Sequence, residues 1–149
     1  MDDTDLRILR VLQEDSSLSV SDVARQVGLS ASPCWKRIHK LRVDKVIRHQ
    51  TAVLDAEQLG FGLTVFMEIR TGEHSGEWLR LFAERVRAMP EVMEFHRMAG
   101  EVDYLLKVMV ADMKRFDDFY KSLVETTPLA EVTSRFSMEP IKQTTALPI

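Results

Sequence analysis

The chain has 149 residues, 45% hydrophobic and 29% charged, which allows one or two small domains with a real core. Its formal net charge is −3, no apolar stretch approaches a membrane span, and the acidic start Met1-Asp2-Asp3-Thr4-Asp5 is unlike a secretory signal, so a cytoplasmic protein with no membrane partner is expected. A single cysteine, Cys34, excludes an internal disulfide, and the scattered His39, His49, His74 and His96 lack ligand spacing, so no metal and no other cofactor is expected.

The first fifty residues read as three helices. Asp3 or Thr4 can cap a first helix to about Glu14, with Leu6, Leu9 and Leu12 on a stripe that Ile8 and Val11 widen. Ser19 opens a second helix and forms a capping-box variant with Asp22; Val20, Val23, Ala24 and Val27 follow at i, i+3, i+4, i+7. Gly28 ends that helix, because glycine takes a left-handed backbone without steric cost. Ser30 or Ser32 caps a third helix, with Pro33 in its first turn and Cys34, Ile38 and Leu41 on its inner stripe. The tight turn Gly28-Leu29-Ser30 between two short helices predicts a three-helix, winged-helix-like helix-turn-helix over residues 1–50.

Residues 46–54 are β-prone and suggest a strand leaving the helices; residues 51–60, with Asp55 to Gly60 as a turn, read as a linker. Phe61–Arg70 predicts a strand, and Ser75–Met89 a helix with Trp78, Leu81, Phe82 and Val86 on one face. Val92–Met98 is a strand, Ala99-Gly100-Glu101 a turn, and Asp103–Val110 an apolar central strand. Met113–Val124 predicts a helix on Phe116, Phe119, Tyr120 and Leu123, and Ala130–Met138 a last strand. The order β-α-β-β-α-β marks a ferredoxin-like unit over residues 61–149, so the fold class is α+β.

The net charge hides an asymmetry. Residues 33–49 carry six basic side chains against Asp44 alone, whereas residues 51–149 hold 11 basic and 16 acidic ones. A local basic stretch on a helix points to a polyanion better than the total does, although a solvated basic face gives the same pattern. On the third helix, Ser32, Lys36 and His39 lie opposite the inner stripe, flanked by Trp35, Arg37 and Lys40. Lys36 and His39 are candidates for base edges in a major groove; Arg37, Lys40 and Arg42 suit phosphates, and Ser30 and Ser32 can donate to phosphate near the helix start. Trp35 either packs on the core edge, the favoured reading, or lies against sugar and backbone. One such unit makes few contacts, so at least a dimer on a roughly palindromic double-stranded operator is expected.

Gly28-Leu29-Ser30-Ala31-Ser32-Pro33-Cys34-Trp35-Lys36-Arg37-Ile38, followed by Leu41, resembles the helix-turn-helix of the Lrp/AsnC family, the leucine-responsive or feast/famine regulators. Met98-Ala99-Gly100-Glu101-Val102-Asp103-Tyr104-Leu105-Leu106-Lys107 resembles that family's Gly-x-x-Asp-Tyr loop, in the matching order along the chain. The resemblance implies a regulator of amino-acid metabolism that dimerises through its sheets, assembles to octamers or other rings, and binds a small amino acid between dimers. By position it implies effector contacts at Met98, Gly100, Asp103 and Tyr104, and at the neighbouring Met113, Phe136 and Ser137. Thr127-Pro128-Leu129-Ala130 lacks the glycine that commonly follows this proline in the family. Pro33–Arg37, Ala111–Phe116 with Phe119-Tyr120-Lys121, and Ile141–Ile149 are similar to the DecR-type, cysteine-responsive branch, which implies cysteine as effector. Regulators of proline catabolism share parts of the same pattern.

A zwitterionic ligand needs donors for its carboxylate and acceptors for its ammonium. Backbone amides around Gly100 can approach closely, and Asp103 is either an ammonium acceptor or a carboxylate that braces the turn. Tyr104, Met98 and Met113 are by default core residues. An enzyme is not expected: the sequence offers no nucleophile–base pair, phosphate-cradling loop or metal cluster, and a lone Cys34 on a helix stripe reads as core. The alternatives are an architectural DNA-binding protein of low sequence specificity, a regulator of proline or branched-chain amino-acid catabolism, and a ligand-binding or assembly module without DNA, which the basic third helix opposes.

Overall fold

Each of the first three helices carries one apolar stripe, and the three stripes meet in a small core. The computed structural model describes residues 1–125 and 129–149, in two units: Met1–Val53 with Ile141–Ile149, and Leu54–Pro140. The Thr127–Pro128 part of the missing-glycine segment lies outside the described residues. Among the described residues no helix is long and apolar enough to cross a membrane.

In the first unit, α1 (Asp3–Glu14), α2 (Val20–Val27) and α3 (Ala31–Val43) bury Ile8, Val23, Ala24, Val27, Cys34, Ile38 and Leu41 together. Asp2 caps α1, rather than Asp3 or Thr4: its carboxylate accepts from the Asp5 amide and the Asp5 carboxylate accepts from the Asp2 amide, each at 2.9 Å. All three residues are good caps in isolation, and only this reciprocal pair separates them. At α2 the Ser19 hydroxyl accepts from the Asp22 amide (3.2 Å) and donates to the Asp22 carboxylate (2.6 Å), so the expected box closes through the hydroxyl. Gly28, at φ +72°, ends α2 as expected, its N–H meeting the Ala24 and Arg25 carbonyls.

One expectation near this unit is corrected. Residues 46–54 form no strand. A lone β-prone segment needs a ladder partner, and one backbone bond together with side chains holds this one instead. Ile47 returns its N–H to the Leu41 carbonyl (3.0 Å) and tucks against the core. Arg42 donates to Gln50 (2.6 Å), which donates to the Ser16 carbonyl (3.2 Å). Ile141–Ile149, read from sequence as part of the second domain, make their contacts with the first unit. These residues lie in the first unit because the Gln13 amide bonds the Leu147 backbone twice, donating to its carbonyl and accepting from its N–H, both at 2.9 Å. Arg10 adds a bond to the Ile149 carbonyl at 2.7 Å.

The second unit runs β1 (Leu63–Arg70), α4 (Gly76–Ala88), β2 (Val92–Arg97), β3 (Tyr104–Val110), α5 (Met113–Val124) and β4 (Glu131–Phe136). The expected α+β class and βαββαβ order are both found, and the antiparallel sheet has the order β2-β3-β1-β4. β1 begins after Phe61 and β4 is shorter than residues 130–138. Strand alternation sorts the faces. Val65, Met67 and Ile69 of β1 and Tyr104, Leu106, Val108 and Val110 of β3 join Trp78, Phe82, Val86, Phe116, Phe119 and Leu123 of the helices in one core. The opposite face carries Phe66, Leu105 and Met109 among ion pairs, Glu68–Arg135 at 3.0 Å and Glu94–Lys107 at 3.2 Å.

Phe82 is fully buried and meets Trp78, Phe95 and Tyr104 at ring distances of 4.9–5.6 Å. Phe82→Ala is expected to destabilise the second unit by about 3–5 kcal/mol, read by chemical denaturation. Gln13→Ala should leave that transition unmoved while deprotecting the amide of Leu147 in hydrogen exchange.

Candidate functional site

The turn at Gly28 aims α3. Leu29 follows it, bonds the Ala24 carbonyl with its N–H (2.8 Å), and packs against the core between α2 and α3. Cys34, Ile38 and Leu41 then anchor one side of α3. The other side, with Ser32, Trp35, Lys36, His39 and Lys40, faces solvent. Cys34 is fully buried, and burial pushes its thiol above the ordinary range, which leaves it a core residue rather than a nucleophile. Ser30 is the N-cap of α3 by backbone conformation without a side-chain cap bond, so its hydroxyl is not committed to the helix.

The basic residues of α3 divide into two kinds. Lys36 is exposed and has no ion pair among the described residues. Arg37 reaches back to the first turn of α1, where one guanidinium nitrogen lies 2.8 Å from Asp2 and 2.7 Å from Asp5. Those hydrogen bonds, Asp5 first, raise the pKa of Arg37. The Asp2 carboxyl is held below its ordinary value by the Asp5 amide first and by Arg37 second. Lys40 pairs with Asp44 one turn on, which raises its pKa, and Arg42 is engaged with Gln50. Trp35 stands 54% exposed, away from the core edge where sequence favoured it, and stacks on His39 with ring centroids 5.1 Å apart and planes within 7°. The Asp2–Asp5–Arg37 bridge was not legible in sequence; the reciprocal acids of the first turn were its only local sign.

The effector candidates fall at two ends of the sheet. At one end, Met98 donates its N–H to the Asp103 carbonyl (2.8 Å) to close the β2–β3 turn, with Gly100 at φ +128°. One Asp103 carboxylate oxygen accepts from the Thr71 amide at 2.8 Å, and the other lies 3.9 Å from His74 Nδ1. Asp103 thus braces the turn and keeps an oxygen to spare; Thr71 and His74 were not singled out from sequence. Tyr104 is buried against Trp78, Phe82 and Phe95, and that burial first of all raises its phenol pKa. At the other end, Phe136 pairs in register with Val65 and meets Phe116 edge-on at 5.1 Å; Ser137 bonds the Thr64 carbonyl, and Met113 is exposed at the start of α5. Through Val65, Phe136 lies level with Val108, four residue steps of β3 or about 13 Å from Tyr104 at ~3.3 Å per residue and two strands to the side, so one subunit does not bring the two sets together.

A tight-turned helix pair with a solvent-facing basic third helix is the geometry of a helix-turn-helix DNA-binding unit, here followed by a βαββαβ unit. Residues 1–42 match the AsnC-type helix-turn-helix domain and residues 64–147 the Lrp/AsnC ligand binding domain. The chain belongs to the Lrp/AsnC family of transcription regulators, and so is not an enzyme. It is 51% identical to the DNA-binding transcriptional activator DecR of Escherichia coli (strain K12), over 100% of this chain and 99% of that protein. Its fold superposes on the crystal structure of an AsnC family transcriptional regulator from Agrobacterium tumefaciens with a TM-score of 0.97 and 52% identity, covering 99% and 97% of the two chains. The L-Met complex of a transcriptional regulator from Neisseria meningitidis follows at a TM-score of 0.94 and 34% identity, covering 99% and 96%.

The Asp2 carboxyl, lowered in the fold, stabilises the first unit above its ordinary pKa of 3.8, and that contribution is lost as pH falls through the lowered value. Thermal melts from about pH 7 down to pH 2 should show stability lost below about pH 4, with a shallower acid limb in Arg37→Ala.

Proposed function

We propose that the protein is a sequence-specific regulator of amino-acid metabolism that acts in the cytoplasm as a dimer or larger ring, and whose DNA affinity responds to a small amino acid, cysteine. The observation that carries the DNA half is the free face of α3: Lys36, Trp35 and His39 point outward together from a helix fixed on its other side. Lys36 and His39 contact base edges, and Trp35 lies against sugar and backbone. Lys40, Arg42, Ser30 and Ser32 meet phosphates. Arg37 acts chiefly by holding α3 against α1, because its charge is already met by Asp2 and Asp5. A single helix of this size reads few bases, so two copies engage half-sites about 34 Å apart on a roughly palindromic operator.

Assembly follows from the sheet. Its uncovered face mixes Phe66, Leu105 and Met109 with ion pairs, a composition suited to pairing with a second copy. Rings of such dimers, an octamer among them, would bring the Met98–Gly100–Asp103–Tyr104 end of one subunit beside the Met113–Phe136–Ser137 end of another. Backbone amides near Gly100 meet the ligand carboxylate, and the spare Asp103 oxygen accepts from the ammonium. The relative from Neisseria meningitidis was solved with an amino acid, L-methionine, which supports this ligand class. Cysteine rests on the similarity to the DecR-type branch. An effector worth about 1–3 kcal/mol of coupling changes DNA affinity roughly 5–150-fold.

Gel shifts on the region upstream of the gene, with and without cysteine, test both halves. Lys36→Ala should cost about 1–3 kcal/mol on the operator and little on unrelated duplex, whereas Lys40→Ala should weaken both alike and lower the salt slope by about 1. Equal loss on every duplex for both variants fits an architectural protein instead. Asp103→Asn keeps an acceptor for the Thr71 amide but loses the charge, and should blunt the cysteine response while sparing operator binding.

A further inference from the structure

The helix-turn-helix match ends at residue 42, but the basic stretch of the chain runs on past it. Arg42, Lys45, Ile47, Arg48, His49 and Gln50 line a concavity of about 210 Å³ at the end of α3, within the first unit. Asp44, the one carboxylate of residues 33–49, does not line it and is held by Lys40. Lys45 and Arg48 are exposed and have no ion pair among the described residues. Arg42 donates to the uncharged Gln50, so its charge is not met by an acid.

These cations stand on a fixed loop. Ile47 packs against the helical core and returns its N–H to the Leu41 carbonyl, and the chain of bonds from Arg42 through Gln50 to the Ser16 carbonyl pins the far side. Lys45 sits at φ +61°. A residue with a Cβ is disfavoured there and glycine is not, so the loop carries a lysine where its backbone favours glycine. Strained residues of this kind gather where a chain meets a ligand.

The place of the concavity identifies what fills it. α3 runs about 20 Å at ~1.5 Å per residue, whereas a major groove is about 12 Å wide. A helix that touches base edges with its early residues leaves the groove before its last turn. Arg42 lies about 9 Å beyond Lys36 along the helix, so Arg42 and the loop after it come level with a sugar–phosphate strand.

We propose that residues 42–50 form a clamp for a backbone phosphate of double-stranded DNA, in which Arg42, Lys45 and Arg48 close on the strand that borders the bases read by α3. The contact is indifferent to base sequence and sets how α3 is seated in the groove. The proposal rests on reading α3 as the DNA-facing helix, and it adds residues beyond that helix to the interface.

Lys45→Gly separates binding from folding, because it removes the charge and relieves the backbone together; Arg48→Ala removes an exposed, unpaired charge. Both should melt within a few degrees of the parent. Duplex affinity is then measured from about 50 to 200 mM salt. Each variant should lower the salt slope by about 0.9, so that its loss of affinity over that range is about three- to fourfold smaller than the parent's, on operator and unrelated duplex alike. Duplexes carrying one uncharged methylphosphonate at successive backbone positions locate the clamp. One position should weaken the parent and Lys36→Ala but make no difference to Arg48→Ala. Unchanged salt slopes in both variants, or a methylphosphonate effect that neither variant abolishes, overturn the proposal. So does saturable binding of pyrophosphate at constant ionic strength by a protein whose duplex affinity the variants leave alone, which marks a site for a free anion. If Lys36→Ala shows its operator-specific loss while Lys45→Gly and Arg48→Ala bind as the parent does, the clamp alone falls; a parent that binds no duplex at low salt sinks the proposed function and the clamp with it.

Discussion

The orientation of the DNA-facing helix depends on Arg37. Its guanidinium reaches from α3 into the first turn of α1, where Asp2 and Asp5 already form the reciprocal cap of that helix. Three charges therefore fix two helices through one junction, and the carboxylates that cap α1 are the ones that meet the charge of Arg37. Apolar stripes are tolerant of rotation, because a helix turned by a fraction of a turn still buries most of the same surface. Directional hydrogen bonds to a charged group are not so tolerant. The junction lets Cys34, Ile38 and Leu41 point inward while Lys36 and the Trp35–His39 stack stand outward.

β3 plays the corresponding part in the second unit. It lies between β2 and β1, and four of its seven residues are buried under α4 and α5. It separates the Gly100 turn with Asp103 from the end of β4 with Phe136 and Ser137. The distance between those ends makes the strand a ruler. Residues at its two ends therefore do not line one small site within a single copy.

The periodic parts of the chain were legible in sequence. Val20, Val23, Ala24 and Val27 gave α2, Gly28 its end, and the alternating runs the strands of the sheet, because backbone geometry imposes those patterns locally. Less legible were features that depend on residues far apart. The cap of α1 moved to Asp2 because the choice among neighbouring acids is made by a reciprocal bond. Residues 46–54 have strand composition but no ladder partner. Trp35 fits a buried or an exposed position equally well by helical phase, and only the assembled core decides. Lys45, at φ +61°, follows α3 in a backbone conformation that favours glycine, so the usual end signal was missing. The engagement of Arg37, and the division of the effector candidates between two ends, required the tertiary fold.

Gln13 gives the first unit an uncommon chain order. By gripping the backbone at Leu147, it recruits residues 141–149 into a unit otherwise made from residues 1–53, so the ligand-binding unit is threaded into the DNA-binding one as a long excursion. During synthesis the three helices can collapse early, but the surface of α1 bearing Gln13 and Arg10 stays uncovered until the ribosome has released nearly a hundred further residues. The first unit is therefore completed only after the second has been synthesised.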